Sequence, residues 1–205
     1  MIWKILKKSA IDSWDEMLML VAFNLLWFVG ALLIVPYPFL TFALFFTARD
    51  VTEGRGIKFG KFFGYGRTHW KQAYIWGAAN LAVLLLLWFN VTFYAGFGAQ
   101  WALVMQLFFV ALIALWLVLQ LTALAIYPRL VEPGYALAQR NAAVLVGRHP
   151  LVMLVLLLVC GTLIVASALL PALFVVLTVS LIAVLATNTV DLLLARELAE
   201  PEEEG

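Results

Sequence analysis

Charge is scarce in this 205-residue chain: Asp, Glu, Lys and Arg make up 12% of the residues, whereas hydrophobic residues make up 65%. Soluble domains are about half apolar and about a quarter charged, so the composition excludes a soluble globule and a disordered chain. A single cysteine excludes a disulfide scaffold, and a net charge of +1 excludes a nucleic-acid binder with a large basic surface. With a mean hydropathy of +1.03, an all-α, polytopic helical membrane protein remains.

Three long stretches contain no Asp, Glu, Lys, Arg or His. They cover residues 17–48, 72–128 and 150–190, which are 32, 57 and 41 residues long. Because one crossing of the bilayer needs about 20 apolar residues, the second and third stretches each hold two crossings. Turn signals at Gly96–Gly98 and at Pro171 divide them. The predicted spans are residues 17–35, 39–52, 73–95, 100–127, 151–169 and 172–193.

The second of these six spans is unusually short. Pro36 and Pro38 end the first span, and the apolar run 39–48 that follows covers only about 15 Å as a helix. We expect a short, tilted crossing that extends past Arg49, whose side chain reaches the headgroups. The alternative is one arm of a re-entrant hairpin.

The positions of the cations set the predicted orientation. With six crossings, all 13 Lys and Arg residues lie on one side of the membrane. The positive-inside rule makes that side the cytoplasm, so both termini are predicted to be cytoplasmic. Residues 1–195 then form a single transmembrane helical domain, and residues 196–205 form an acidic, disordered tail.

Three connecting segments carry the features of surface helices. Residues 1–16 are amphipathic, with Trp3 and Trp14 on one stripe and Lys8 and Asp12 roughly opposite. Residues 57–71 mix aromatic and basic side chains, and residues 135–147 form a weaker third candidate. Anionic headgroups at the cytoplasmic face are the nearest partner. A docking surface for another protein is the alternative, and nucleic acid is not expected.

Four amide side chains fall at one predicted depth, roughly 8–10 Å above the cytoplasmic boundary. They are Asn24, Asn80, Gln120 and Asn188. A polar layer of this kind either joins the helices by hydrogen bonds or forms a pocket or path for a small polar solute. Composition alone does not distinguish the two.

A second group of polar residues lies at the predicted inner interface. It comprises Arg49, Arg67, His69, Arg129, Arg148, His149 and Asp191. Asp191 is expected to form a structural ion pair with Arg49, Arg129 or Arg148, and a role in proton coupling or ligand binding is the alternative. The two histidines are expected to anchor or cap helices, or to join a phosphate or lipid-headgroup site. No catalytic, metal or cofactor motif is present, so no cofactor and no enzymatic activity are expected.

The order of these features resembles the YesL-like family of small bacterial membrane proteins of unknown function. The resemblance rests on Asn24–Trp27, the Pro36/Pro38 break, Thr41 and the short apolar helix ending in Arg49, the aromatic-basic segment Phe59–Trp70, Tyr127-Pro128, Arg140 and Arg148-His149. It covers nearly the whole chain and implies a multi-pass protein of the bacterial inner membrane. It also implies a link to carbohydrate ABC transporters.

Two functions follow as expectations. The first is a non-enzymatic accessory or regulatory component of carbohydrate uptake, with ABC-transporter subunits as possible partners. The alternative is a carrier or channel for a small polar solute, which would use the four amides.

Overall fold

The structure, a computed structural model, describes residues 2–199, and all regular structure within that range is helical. The helices are α1 (Ile2–Asp15), α2 (Met17–Leu32), α3 (Tyr37–Thr52), α4 (Phe59–Thr68), α5 (Trp70–Ala95), α6 (Gln100–Ile126), α7 (Tyr135–Arg148), α8 (Pro150–Leu169) and α9 (Pro171–Ala199). A 3₁₀ turn, Tyr127–Arg129, extends α6, and α9 contains a π-helical segment, Phe174–Thr178. The all-helical prediction is thus confirmed.

Within residues 2–199, four helices are long and apolar enough to cross a membrane: α5, α6, α8 and α9. Taken as one span, α1 and α2 would add a fifth, although the chain bends by 89° between them. The expected six spans are not reached by this criterion, because α2 and α3 have 16 residues each and are about 24 Å long. The chain is therefore compatible with a multi-pass membrane protein of at least four crossings.

The short helix α3 lies in the centre of the bundle. Eleven of its 16 residues are buried, and it packs against α2, α4, α5 and α9. Phe42 contacts Trp76 and Tyr127, with ring centroids 5.9 and 4.9 Å apart. A helix that is apolar all round is expected to be buried, and α3 fits that rule over Pro38–Ala48. Protein therefore surrounds the segment that the sequence assigns to a short crossing.

A tight turn joins α2 to α3. The first predicted span ends three residues early, at Leu32, and Ile34 in the turn has a φ of 63°. This left-handed conformation is strained for a β-branched residue. Tyr74 of α5 donates a hydrogen bond of 2.9 Å from its hydroxyl to the backbone carbonyl of Val35. The turn is thus held against the first turns of α5.

Helices α5 and α6 form a hairpin that stays apart from the bundle over most of its length. In their most apolar windows only 6% and 11% of the residues are buried, against 56% in α9. Large side chains such as Leu85, Trp88, Phe89 and Leu107 are exposed. A contiguous apolar surface of this kind needs lipid or another apolar partner to cover it.

The last helix is longer than predicted. Instead of ending near residue 193, α9 continues to Ala199, so the first four residues of the predicted acidic tail are helical. Residues 200–205, the remainder of that tail, lie outside the described residues.

The contact between α3 and α5 gives a test of this packing. A methyl group added at Gly77 would lie 2.7 Å from Cγ and 3.1 Å from Cβ of Pro38, whose ring cannot turn away. Gly77→Ala is expected to lower the free energy of unfolding by about 1–3 kcal/mol, as measured by thermal unfolding in mild detergent. Gly161→Ala in α8 is the matched control, since a methyl group added there would lie more than 4 Å from every described atom outside its own stretch of helix. Equal stability of the two variants would contradict the close packing.

Candidate functional site

Asn24 lies at the π-helical segment of α9. Its Nδ2 donates to the carbonyls of Phe174 and Val175 at 2.9 and 2.7 Å, and its Oδ1 accepts from the backbone N–H of Ser180 at 2.9 Å. A π segment shifts the helical hydrogen-bond register and frees backbone groups from their usual partners. One fully buried side chain thus satisfies three backbone groups of another helix. Both polar atoms of this amide are used within the protein.

Asn188, also on α9, binds the N-terminal helix. Its Oδ1 accepts from Lys8 Nζ at 2.7 Å, and its Nδ2 donates to Ser9 Oγ at 3.1 Å and to Asp12 Oδ2 at 3.0 Å. Lys8 also pairs with Asp12 at 2.7 Å and donates to the carbonyl of Thr52 at 3.1 Å. Sequence reasoning missed this site because it placed Lys8 and Asp12 on a solvated face.

The other two amides belong to the α5–α6 hairpin. Trp76 donates from its indole N–H to Gln120 Oε1 at 3.0 Å, and Trp116 donates to Asn80 Oδ1 at 2.9 Å. Gln120 Oε1 also accepts from the hydroxyl of Tyr135 on α7 at 3.3 Å. Each bond joins two helices.

The four predicted amides do not bond to one another. Their partners lie in three separate places: the π segment of α9, the N-terminal helix, and the α5–α6–α7 contact. Each amide instead bonds to a different helix from its own, as expected for side chains that join helices by hydrogen bonds.

Asp191 pairs with Arg129, one of the three arginines expected for it. Arg129 Nε donates to Asp191 Oδ1 at 2.8 Å, and Thr52 donates to Oδ2 at 3.3 Å. The guanidinium also donates to the carbonyl of Ala125. The pair thus ties the end of α6 to α3 and α9, beside the contacts of Lys8 with Thr52. We call this end, marked by Lys8, Thr52, Arg129 and Asp191, the charged end of the bundle.

The remaining inner-interface residues occupy separate positions. Arg49 pairs with Glu53 at 2.8 Å and donates to the carbonyl of Pro128. Glu197 lies 3.4 Å from Arg148 and 3.2 Å from His149. Arg67 is exposed on α4 and joins neither pair. Within residues 2–199, no group of three or more His, Cys, Asp or Glu residues is placed to hold a metal ion.

A buried carboxylate, Asp50, also escaped sequence reasoning. It is 4% exposed, and its Oδ2 accepts a hydrogen bond of 2.6 Å from the hydroxyl of Tyr65. Phe46 stacks between Tyr65 and His69, with centroid distances of 4.9 and 4.6 Å. Because Asp50 follows Arg49 at the end of an apolar run, the sequence suggests a solvated helix end. Asp50 lies four residues after Phe46 and so on the same face of α3, and this spacing is the sequence signal for its burial.

His69 closes this aromatic stack. Its Nδ1 lies 3.2 Å from the hydroxyl of Tyr127. Burial lowers the pKa of His69 below its ordinary value, which favours the neutral ring against Phe46. His69 is thus a structural contact between the start of α5 and the end of α6.

The pKa of Tyr65 tests the burial of Asp50. Burial, together with the hydrogen bond and the charge of Asp50, raises the pKa of Tyr65 from 10.0 to about 12. Asp50→Asn removes the charge, so the pKa of Tyr65 should fall toward its ordinary value. Phenolate absorbance, read as the difference from Tyr65→Phe, measures it. An unchanged titration would contradict the contact.

The raised pKa of Tyr65 also makes the stability of the protein depend on pH. The folded protein favours the neutral phenol of Tyr65, so its contribution to stability is complete below pH 10 and is lost as the pH rises through about 12. Asp50→Asn should lower the pH at which this contribution to stability is lost.

Comparisons with known proteins find no match: no protein family, no curated protein and no solved structure is similar to this chain. The YesL-like resemblance stays a prediction, and the site has to be interpreted from its own geometry.

Proposed function

We propose that this chain is a non-enzymatic, multi-pass protein of a bacterial inner membrane that acts as an accessory or regulatory component beside a membrane transporter. The observation that carries the proposal is the exposed apolar surface of the α5–α6 hairpin, which buries little against its own bundle. Lipid covers such a surface in part, and a second membrane protein fits it equally well.

The polar residues inside the bundle support the same proposal. In Asn24 and in Asn188, both the amide N–H group and the amide oxygen form hydrogen bonds within the protein. A carrier needs polar side chains that exchange their partners for solute as it passes. These two amides are instead committed to holding α9 against α2 and α1, so we rank the carrier function second.

The proposed topology has six crossings with both termini in the cytoplasm. It is supported by the charged end of the bundle, where residues from α1, α3, α9 and the turn after α6 meet within hydrogen-bond distance. An even number of crossings between these elements returns the chain to the same side each time. The contact of Asn24 with Phe174, three residues into α9, supports a crossing by α2.

The membrane surface is the proposed partner of α1 and α4. Trp3 and Trp14 are each 75% exposed on the outer face of α1, whereas its polar residues bind the protein. On α4, Phe62 stacks on Phe23 at 4.4 Å, and Phe59 contacts the same ring edge-on at 5.2 Å but stays 46% exposed. Lys58, Lys61, Phe63 and Arg67 are exposed as well. Exposed aromatic and basic side chains together suit anionic headgroups.

The proposed transporter is a carbohydrate ABC transporter, as the YesL-like resemblance implies. Sugar uptake is the physiological readout for this part of the proposal.

Site-specific crosslinking in the source bacterium tests the proposal. A photoreactive residue at Leu85 or Leu107, both 59% exposed on the hairpin, is expected to crosslink to a subunit of an ABC transporter. Leu151 on α8, 77% exposed, is the control position and should not. Deletion of the gene should reduce uptake of the transported sugar. Equal crosslinking from α8, or uptake that is unchanged by the deletion, would contradict the accessory role.

A further inference from the structure

A small polar cluster lies where α7 covers the α5–α6 hairpin. Tyr135 donates from its hydroxyl to Gln120 Oε1 at 3.3 Å and accepts from Gln139 Nε2 at 2.6 Å. The indole of Trp76 donates to the same oxygen of Gln120. We call Trp76, Gln120, Tyr135 and Gln139 the amide–tyrosine cluster.

Two buried atoms of this cluster have no hydrogen-bond partner among residues 2–199. They are Nε2 of Gln120, a residue that is only 3% exposed, and Oε1 of Gln139. Because Tyr135 has a single hydroxyl proton, it uses that proton on Gln120 and its lone pair on Gln139. The two amides are thereby oriented with one free donor and one free acceptor. Buried polar atoms in native proteins nearly always have a partner, so these two point to an occupant.

The chemistry of the free atoms selects the occupant. A hydroxyl group accepts one hydrogen bond and donates another, which matches one amide N–H and one amide oxygen. A carboxylate or phosphate would satisfy only the N–H, and an ammonium group would satisfy only the oxygen. Neither amide carries charge, so the cluster suits a neutral group.

The cluster lies beneath the first turns of α7. Tyr135 and Gln139 are half-buried in the first turns of α7, and Leu137 between them is exposed. The backbone N–H of Tyr135 donates to Gln72 Oε1 at 3.0 Å, which fixes this end of α7 against α5. The edge of a surface helix thus separates the buried amides from the outside.

From this arrangement we propose that the amide–tyrosine cluster is a binding site for a polyol hydroxyl, held between Gln120 Nε2 and Gln139 Oε1. The hydroxyl belongs either to a free polyol such as glycerol or to the glycerol headgroup of a phospholipid. The site goes beyond the accessory function proposed above and does not depend on it.

Thermal unfolding in lipid nanodiscs tests the site in two arms. The first titrates glycerol into phosphatidylethanolamine nanodiscs. The second compares phosphatidylglycerol with phosphatidylserine, which carries a headgroup of similar charge but no glycerol. Gln120→Met and Gln139→Met remove the two free atoms. Gln106→Met, on α6 but outside the cluster, is the matched control.

A saturable rise in melting temperature in at least one arm is expected for the unchanged protein and for Gln106→Met. In Gln120→Met and Gln139→Met the half-saturating concentration should rise about fivefold to tenfold, the effect of losing one hydrogen bond. Gln139→Met alone suffices if Gln120→Met fails to fold. A rise that does not saturate, or that is equal in all four proteins, overturns the proposal and leaves a buried water as the occupant.

Discussion

Asn24→Leu is expected to be the most damaging single substitution inside the bundle. The leucine fills the space of the amide but leaves the carbonyls of Phe174 and Val175 and the N–H of Ser180 without partners. In an apolar environment each unsatisfied backbone group costs about 1–3 kcal/mol or more. We expect the free energy of unfolding to fall by about 4 kcal/mol, seen as a large loss of melting temperature in mild detergent.

A second asparagine provides the control for this substitution. Asn90 donates only to the carbonyl of Leu86 in its own helix, at 2.8 Å, and lies on the outer part of α5. Asn90→Leu should therefore change stability by no more than about 0.5 kcal/mol. If the two substitutions had equal effects, the role of Asn24 in closing the π segment would be wrong.

Asp191→Ala is expected to have the second largest effect. It leaves the Arg129 guanidinium, whose side chain is 13% exposed, without its carboxylate. Removing one partner of a buried ion pair costs about 3–5 kcal/mol. Because the Asp191 side chain is 36% exposed, we expect a cost at or below the lower end of that range. We expect a loss of about 2–3 kcal/mol in the free energy of unfolding.

The double variant Arg129→Met, Asp191→Leu separates the ion pair from simple packing. Removing both charges leaves no charge unpaired, so it should recover at least half of the stability that Asp191→Ala loses. Glu53→Ala is the comparison, because Glu53 pairs with Arg49 at a helical spacing of four residues, and the Arg49 side chain is 27% exposed against 13% for Arg129. A double variant that is as unstable as Asp191→Ala, or less stable, would contradict the role of the unpaired charge.

Composition and ionisable residues predicted the helices because each uncharged run has the length of a helix or of a helical hairpin. The span expected at 100–127 is the helix Gln100–Ile126, and the surface helix expected at 135–147 is Tyr135–Arg148. Helix ends were displaced both at a turn signal and at a charge signal. Leu32 ends α2 before the prolines, and α9 continues past residue 193 to Ala199.

Long-range pairing was beyond the sequence. Asn188 was expected to share a depth with three other amides, but its partners Lys8 and Asp12 are about 180 positions away. The amphipathic pattern of α1 correctly predicted that the Trp3 side chain is exposed on the protein surface. It did not show that the opposite face of α1 meets protein, because a polar helix face packs against water or against polar protein with the same periodicity.

The α2–α3 hairpin is where the proposed topology is most open to test. Asn24 contacts Phe174 near the start of α9, as a crossing requires. Tyr74, however, holds the turn of the hairpin at Val35, only four residues into α5. Pro38 and Phe39, at the start of α3, likewise lie against Gly77 of α5 and Gly66 of α4. The contacts with α4 and α5 favour a re-entrant hairpin, whereas the Asn24 contact favours a crossing.

Labelling of single cysteines with a membrane-impermeant thiol reagent on intact cells is the most direct test of the six-crossing topology. In a Cys160→Ala background, Ile34→Cys and Gly98→Cys should be labelled from outside, and Glu132→Cys only after the membrane is opened. Ile34→Cys that stays protected while Gly98→Cys is labelled would contradict the crossing by α2 and α3 and make them a re-entrant hairpin. Labelling of Glu132→Cys from outside would contradict the orientation itself.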